Sequence, residues 1–364
     1  MPLIFDIIEM KYGYLIALIF LLLNFGIQAQ TILTGTVRDS LNTPVPYASV
    51  YLSKTTFGVQ TNENGEYSLK GPTNGTYELV ASCVGYNSIS KMVTLDGTNK
   101  RLDFQISARV QVAKEVTIKE KDKNRSQHYY LFKLCFIGKS RNSPFCTIQN
   151  PKDLIVYKES EGNNLIAYSV KPLIITNSSF GYKIIYDLKD FRYNLVTADF
   201  RYFGNYYFQD ITNKKRKNSR ANRNRLLAFY GSRLHFMRAL FADSLRQENF
   251  DICNVELDSC RNGIITNSLK EADLRLSINK DSMILYHFNP VLIRYTTNHP
   301  ELIVLPNYFR SVTLISELIF EDSLKVYKNG DYTDGYNLNW FGNMANDRIA
   351  EMLPYDFVPQ KVEK

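Results

Sequence analysis

Thr61-Asn62-Glu63-Asn64-Gly65-Glu66-Tyr67-Ser68-Leu69, followed by Gly75-Thr76-Tyr77-Glu78-Leu79-Val80-Ala81-Ser82, carries the pattern that decides the first folded part of this chain. Asn64-Gly65 supplies a tight turn, and glycine takes the positive φ such a turn demands. On either side, apolar residues alternate with polar ones, the signature of a strand buried on one face. Upstream, Thr34-Gly35-Thr36-Val37 runs into the turn-rich Asn42-Thr43-Pro44, and Ala48-Ser49-Val50-Tyr51-Leu52 alternates again. Downstream come Gly85-Tyr86, Val93-Thr94-Leu95 and a last run from Leu102 to Ile106. Seven short strands with a turn signal between each pair predict an antiparallel β-sandwich over 31–108.

Five ordered blocks in this stretch are Gly35-x-Val37-x-Asp39, Pro44-x-x-x-Ala48-x-Val50, Thr61-x-x-x-Gly65-x-Tyr67-x-Leu69, Gly75-x-Tyr77-x-Leu79 and Val84-Gly85-Tyr86. Together they resemble the carboxypeptidase regulatory-like domain. The resemblance implies a seven-stranded transthyretin-like sandwich that serves as a structural or binding module and is appended to other domains. It implies no catalysis. Zinc carboxypeptidase chemistry needs two histidines and a carboxylate around an open metal position. The four histidines, His128, His235, His287 and His299, all fall outside the sandwich, and none opens an H-x-x-E or H-E-x-x-H arrangement.

Before the sandwich, Lys11 precedes the apolar run Tyr14 to Ile27, which ends at Ala29-Gln30. A basic residue, a short apolar stretch and a small residue before the cut predict a signal peptide over 1–29. The run is short for a spanning helix, which takes about 20 residues. A buried core helix or an uncleaved anchor is the alternative. The protein is therefore expected to be exported, to the periplasm or the outer membrane. Lys and Arg (44) outnumber Asp and Glu (36), a net charge of +8. In an exported chain that balance suits anionic lipid or polysaccharide, with no nucleic acid as partner. Its densest run, Asn213 to Arg225, puts Lys214, Lys215, Arg216 and Lys217 forward as an anionic-surface contact, against the plainer reading of a solvated loop.

After the sandwich, a charged connector spans 109–126, with Glu115–Ile118 open to edge-strand pairing. A larger domain then occupies 127–364. Hydrophobic content of 45 % and aromatic content of 13 % support a packed, β-rich chain. Helices are expected at Tyr129–Ile137 and Leu226–Arg246, the latter with Gly231 as its weak point. Strands are expected at Leu154–Lys158, Leu165–Lys171, Tyr182–Phe191, Ala198–Ile211, Ala272–Ile278, Met283–Phe288, Val291–Tyr295, Leu302–Leu305, Val312–Ile315, Leu318–Phe320 and Lys325–Tyr327. The tail from Trp340 to Leu353 reads as a short helix stopped by Pro354. The fold class is thus mostly β with some α. This region resembles the C-terminal part of Bacteroidetes envelope proteins bearing the same module. The resemblance rests on Cys146-x-Ile148-x-Asn150-Pro151, Pro172-Leu173-x-Ile175-x-Asn177, Gly181-Tyr182, Tyr186-x-Leu188, Tyr230-Gly231-Ser232-x-x-His235-Phe236-x-Arg238-Ala239-Leu240 and Leu353-Pro354-Tyr355-Asp356. It implies shared architecture and no mechanism.

Chemistry appears only in fragments. Gly138-Lys139-Ser140 ends like a P-loop, but Lys133 stands where the first glycine belongs. Ser232 and His235 lie three apart without a nucleophile elbow. Asp187 and Asp190 flank a strand end, and Tyr202, Phe203, Tyr206, Tyr207 and Phe208 offer either a sugar-stacking platform or core packing, the latter favoured. Asp39-Ser40-Leu41, Asp243-Ser244-Leu245, Asp281-Ser282-Met283 and Asp322-Ser323-Leu324 resemble the O-glycosylation acceptor of Bacteroidetes, or are simple turn chemistry. Of the five cysteines, Cys253 with Cys260 and Cys135 with Cys146 are the near pairs open to bridging. No residue is assigned a catalytic, cofactor-binding or metal-binding role, and no cofactor is expected. The reading is a non-enzymatic cell-envelope adaptor, with a glycan- or peptide-acting hydrolase sited in the C-terminal domain as the alternative.

Overall fold

A computed structural model describes residues 30–72, 74–109, 124–159, 162–212, 219–258, 263–287, 289–297, 312–320, 323–333 and 338–359. The 1–29 segment, most of the connector, Lys214–Lys217, Cys260, His299 and the expected strand Leu302–Leu305 lie outside these residues.

Eight strands build the first unit: β1 (Ile32–Asp39), β2 (Ser49–Leu52), β3 (Gly58–Gln60), β4 (Glu66–Lys70), β5 (Asn74–Ser82), β6 (Ile89–Asp96), β7 (Lys100–Arg101) and β8 (Phe104–Ile106). One sheet groups β4, β1, β7 and β8, and the other runs β3-β2-β5-β6. Leu33, Val37, Tyr67, Leu69, Phe104 and Ile106 from the first face Val50, Leu52, Leu79, Ala81, Val93 and Leu95 from the second in one core. Strand β5 departs from strict alternation, because Val80 is also fully buried.

The second unit opens with helix α1 (Arg125–Phe136), followed by β9 (Cys146–Ile148), β10 (Leu154–Lys158), β11 (Asn164–Ser169), β12 (Leu173–Asn177), β13 (Tyr182–Asn194) and β14 (Phe200–Asp210). The sheet order is β10-β11-β13-β12-β9, and β14 lies along the other edge of β13. Strand β12 was not anticipated, although it lies inside the quoted block Pro172–Asn177. Asn150 makes the block's geometry intelligible. It donates to Pro172 O (3.0 Å) and accepts from Ile174 N (2.8 Å), setting β9 beside β12.

Two helices follow where one was expected: α2 (Ser219–Phe229) and α3 (Arg233–Phe241). The single-helix expectation is corrected at Gly231, whose φ of +79° ends α2 in the left-handed region. Ser232 then caps α3 by accepting from His235 N. A Cβ at Gly231 would lie 2.7 Å from Tyr295 Cδ1. Gly231→Ala is therefore expected to cost about 2–3 kcal/mol, backbone strain and overpacking together. Urea unfolding of the full chain checks it, and a loss below 0.5 kcal/mol would refute it.

The third unit contains β15 (Phe250–Asp258), β16 (Gly263–Ser268), the short helix α4 (Glu271–Leu274), β17 (Arg275–Ile278), β18 (Ser282–Leu285), β19 (Val291–Thr297), β20 (Val312–Phe320), β21 (Leu324–Tyr327) and β22 (Leu338–Gly342). They form the sheets β16-β15-β19-β20-β22 and β17-β18-β21 around a core of their own. The expected helix at Trp340 is corrected too: Trp340 and Phe341 pair with Leu318 and Glu317 in the ladder between β20 and β22. A short 3-10 turn, Asn343–Asn346, follows. From there the chain returns to the second unit, whose core takes up Ile349, Ala350 and Leu353.

Candidate functional site

The aromatic run of β14 forms a docking wall for the N-terminal module. Tyr207 stacks on Tyr51 of β2 with ring centroids 4.4 Å apart, and Tyr206 stacks on Tyr186 at 4.9 Å. Phe208 is fully buried, and Phe203 alone of the five residues is exposed (46 %). Backbone bonds stitch the same seam: Lys54 N–H donates to Tyr206 O (2.7 Å) and Phe208 N–H to Thr55 O (2.8 Å). Packing, not sugar stacking, occupies the run.

At one end of the seam the turn after β2 plugs into a three-way junction. Lys54, held at φ +65°, reaches Asp331 of the third unit (2.7 Å). Burial opposes the Lys54 charge, but Asp331, Tyr355 and Tyr206 outweigh it and raise its pKa above the usual lysine range. Thr56 donates its N–H to Asp356 Oδ1 (2.8 Å) and its hydroxyl to the same carboxylate. Arg238 of α3 donates to three carbonyls, Asn329 (2.9 Å), Phe357 (2.7 Å) and Tyr355 (3.0 Å). Asn329 in turn donates to Thr76 O (3.4 Å) of β5. Sequence reasoning did not single out this cluster, yet Arg238, Tyr355 and Asp356 all sit in the blocks quoted for the C-terminal resemblance. The structure brings those two blocks into contact.

The fragments with chemical promise are engaged elsewhere. His235 Nδ1 accepts from Gly231 N (3.1 Å), which places its proton on Nε2, 3.1 Å from Glu248 Oε2. Burial among Phe229, Tyr230, Phe250 and Tyr295 lowers its pKa, with Glu248 opposing. Ser232 Oγ donates to Phe229 O (2.7 Å). Neither group faces the other as nucleophile and base. Asp187 accepts from Ser88 (3.2 Å) and pairs with Lys189, while Asp190 pairs with Arg192 (3.4 Å). In the P-loop-like fragment, Ser140 N donates to Ser143 Oγ (2.8 Å) instead of lining a phosphate cradle. Cys135 and Cys146 are separate thiols buried in the same core, and Cys253 is also a free thiol.

The acceptor-like serines differ sharply. Ser40 lies exposed in the turn after β1 with Leu41 86 % exposed, whereas Ser282 is buried and donates to Asn279. Ser244 is half-buried on Ala239 O. Beside Ser40 opens a cavity of about 360 Å³ lined by Asn87, Ser88, Gln105 and Ser107, all uncharged. Among the described residues no His, Cys, Asp and Glu cluster is arranged to hold a metal, and no helix is long and apolar enough to cross a membrane.

Residues 33–118 match the CarboxypepD_reg-like domain, ten residues beyond the boundary expected at 108 and reaching into the connector. No match was found among curated proteins. Among solved structures, a type II cohesin–X-dockerin complex from Acetivibrio cellulolyticus is 22 % identical over 21 % of this chain and 58 % of its own, with a TM-score of 0.19. Catechol 1,2-dioxygenase from Acinetobacter is 14 % identical over 25 % and 58 %, at 0.20. A "putative carbohydrate binding protein" of Bacteroides uniformis is 11 % identical over 86 % and 96 %, at 0.19. This chain thus spans under two thirds of the first two, and scores this low carry no argument about shape or ligand.

Proposed function

We propose that this chain is an exported, non-catalytic interaction protein of a cell envelope, in which the N-terminal module is a structural or binding element clamped onto a larger β-rich body. The observation that carries the reading is the way the module is used. One face is spent inside the chain, on Tyr207, Asp331 and Asp356. Elsewhere it turns apolar side chains outward, Leu41 (86 % exposed), Val84 (61 %) and Met92 (56 %). Exposed apolar side chains are groups whose burial a docked partner can gain from. The signal-like segment and the +8 charge support an envelope setting, with Lys214, Lys215, Arg216 and Lys217 meeting an anionic lipid or polysaccharide.

Expression in the native host with a photo-crosslinking residue at position 41 tests this. The expected result is a chain lacking 1–29 in the envelope fraction, cross-linked to one envelope component, with the product lost in Met92→Glu. A cytoplasmic chain that keeps 1–29 would overturn the location. Glycan or peptide hydrolysis abolished by His235→Asn would overturn the non-catalytic reading and favour a hydrolase.

A further inference from the structure

The last described segment, 343–359, touches each folded unit through a different carboxylate. Asp347 Oδ2 accepts the N–H of Arg233 at the start of α3 (2.6 Å), on the third unit. Both Glu351 carboxylate oxygens accept from Asn142 Nδ2 (2.8 and 3.0 Å), on the second. Asp356 takes the N–H of Thr56 (2.8 Å), on the N-terminal module. Between these points the backbone is tied down as well: Ala350 N donates to Ile137 O (3.1 Å), Asn177 Nδ2 to Ala350 O (3.1 Å) and Tyr355 N to Lys54 O (2.8 Å). We propose that this segment is a proton-sensitive clasp, with Asp347, Glu351 and Asp356 each holding one unit, so that the seating of the N-terminal module on the body changes with pH.

The charged surroundings set the direction. Facing Asp347 are Arg233 and Glu351. Arg233 itself lies over Trp340, donates to Met344 O and interacts with Tyr332 and Tyr202. Arg141, Ser140 and Asn142 face Glu351. Around Asp356 stand Thr56, Arg238, Tyr77 and Tyr182. In all three cases burial is the largest influence and raises the carboxyl pKa despite those partners, taking Asp347 up to about 7. A carboxyl that titrates higher when clasped than when released binds more protons in the clasped state. Clasping is then strongest in acid, weakens as pH rises above the released pKa near 4, and levels off above the clasped value. For Asp347 the sensitive window is about pH 4 to 7.

Hydrogen exchange on the full chain, corrected for the intrinsic pH dependence of exchange, reads this directly. Protection of amides in 343–359 should fall roughly tenfold per pH unit between about pH 5 and 6.5, for one proton taken up on clasping. The β13–β14 hairpin should hold its protection over the same range. Asp347→Asn keeps an acceptor for Arg233 N–H without the titration, and should flatten most of the slope. Glu351→Gln is the second variant if Asp347→Asn does not fold. Protection in 343–359 that stays constant from pH 5 to 7.5, or that is lost in parallel with β13–β14, would overturn the clasp.

Discussion

Gly35→Ala is expected to unfold the N-terminal module while leaving the other two cores intact. Gly35 is buried in β1, opposite Tyr67 of β4, and its backbone is ordinary strand. The chain linking β7 to β8 passes directly over it. A Cβ at this position would lie 1.9 Å from Leu102 O, 2.7 Å from Leu102 C and 3.0 Å from Tyr67 Cε1. The first two are backbone atoms and cannot rotate away. Moving them breaks the bond from Tyr67 Oη to Leu102 O (2.7 Å) and the one from Leu102 N to Thr34 O (2.8 Å). Overpacking against backbone with two lost hydrogen bonds amounts to about 3–5 kcal/mol. That is a large share of the stability of any small domain. Gly97→Ala is the control, since nothing lies within 4 Å of its added Cβ and only its φ of +85° is strained, a cost of about 1 kcal/mol. Peptide-resolved hydrogen exchange on the full chain should show 31–108 losing protection in Gly35→Ala alone. Equal effects of the two substitutions would contradict the crossing as the reason for this glycine.

The first unit was legible for a physical reason. Gly65 and the alternation at Tyr67-Ser68-Leu69 record local demands: a positive φ of 72° and a half-buried strand. Each can be read within a few residues. His235 was legible too, because a histidine on the apolar face of a helix is usually satisfied within the core, as it is here by Gly231 and Glu248. Where the outcome depends on partners remote in sequence, periodicity misleads. Trp340 and Phe341 look helical until β20 pairs with them, and helix periodicity runs on through Gly231 although Tyr295 leaves no room there for a side chain. The junction was harder still. Lys54 and Asp331 are 277 positions apart, and Thr56 and Asp356 are 300 apart. Only the recurrence of Arg238 and Tyr355-Asp356 in quoted blocks hinted that they belong together.

Arg238→Ala should loosen that junction at its centre. The guanidinium serves the Asn329 turn and the Tyr355–Phe357 tail together, and its Cζ lies 5.8 Å from the centre of the Phe229 ring. Burial lowers its pKa, so its charge is stabilised less than in water and depends on the three carbonyls it serves. Truncation removes three charge-assisted hydrogen bonds and leaves those carbonyls without their donor, a loss of about 3–5 kcal/mol. Arg238→Lys should recover under half of it, because an ammonium on a flexible stem cannot match a planar fork aimed at three fixed acceptors. The tail and the Asn329 turn of the third unit are also what Lys54, Thr56 and Thr76 of the module meet. Their disorder should therefore split the unfolding of the full chain. Calorimetry is expected to show one transition in the unmodified chain and an earlier, separate transition of the module in Arg238→Ala. A single transition displaced to lower temperature would mean that Arg238 stabilises its own unit only, and that the aromatic seam of Tyr51 and Tyr207 holds the module unaided.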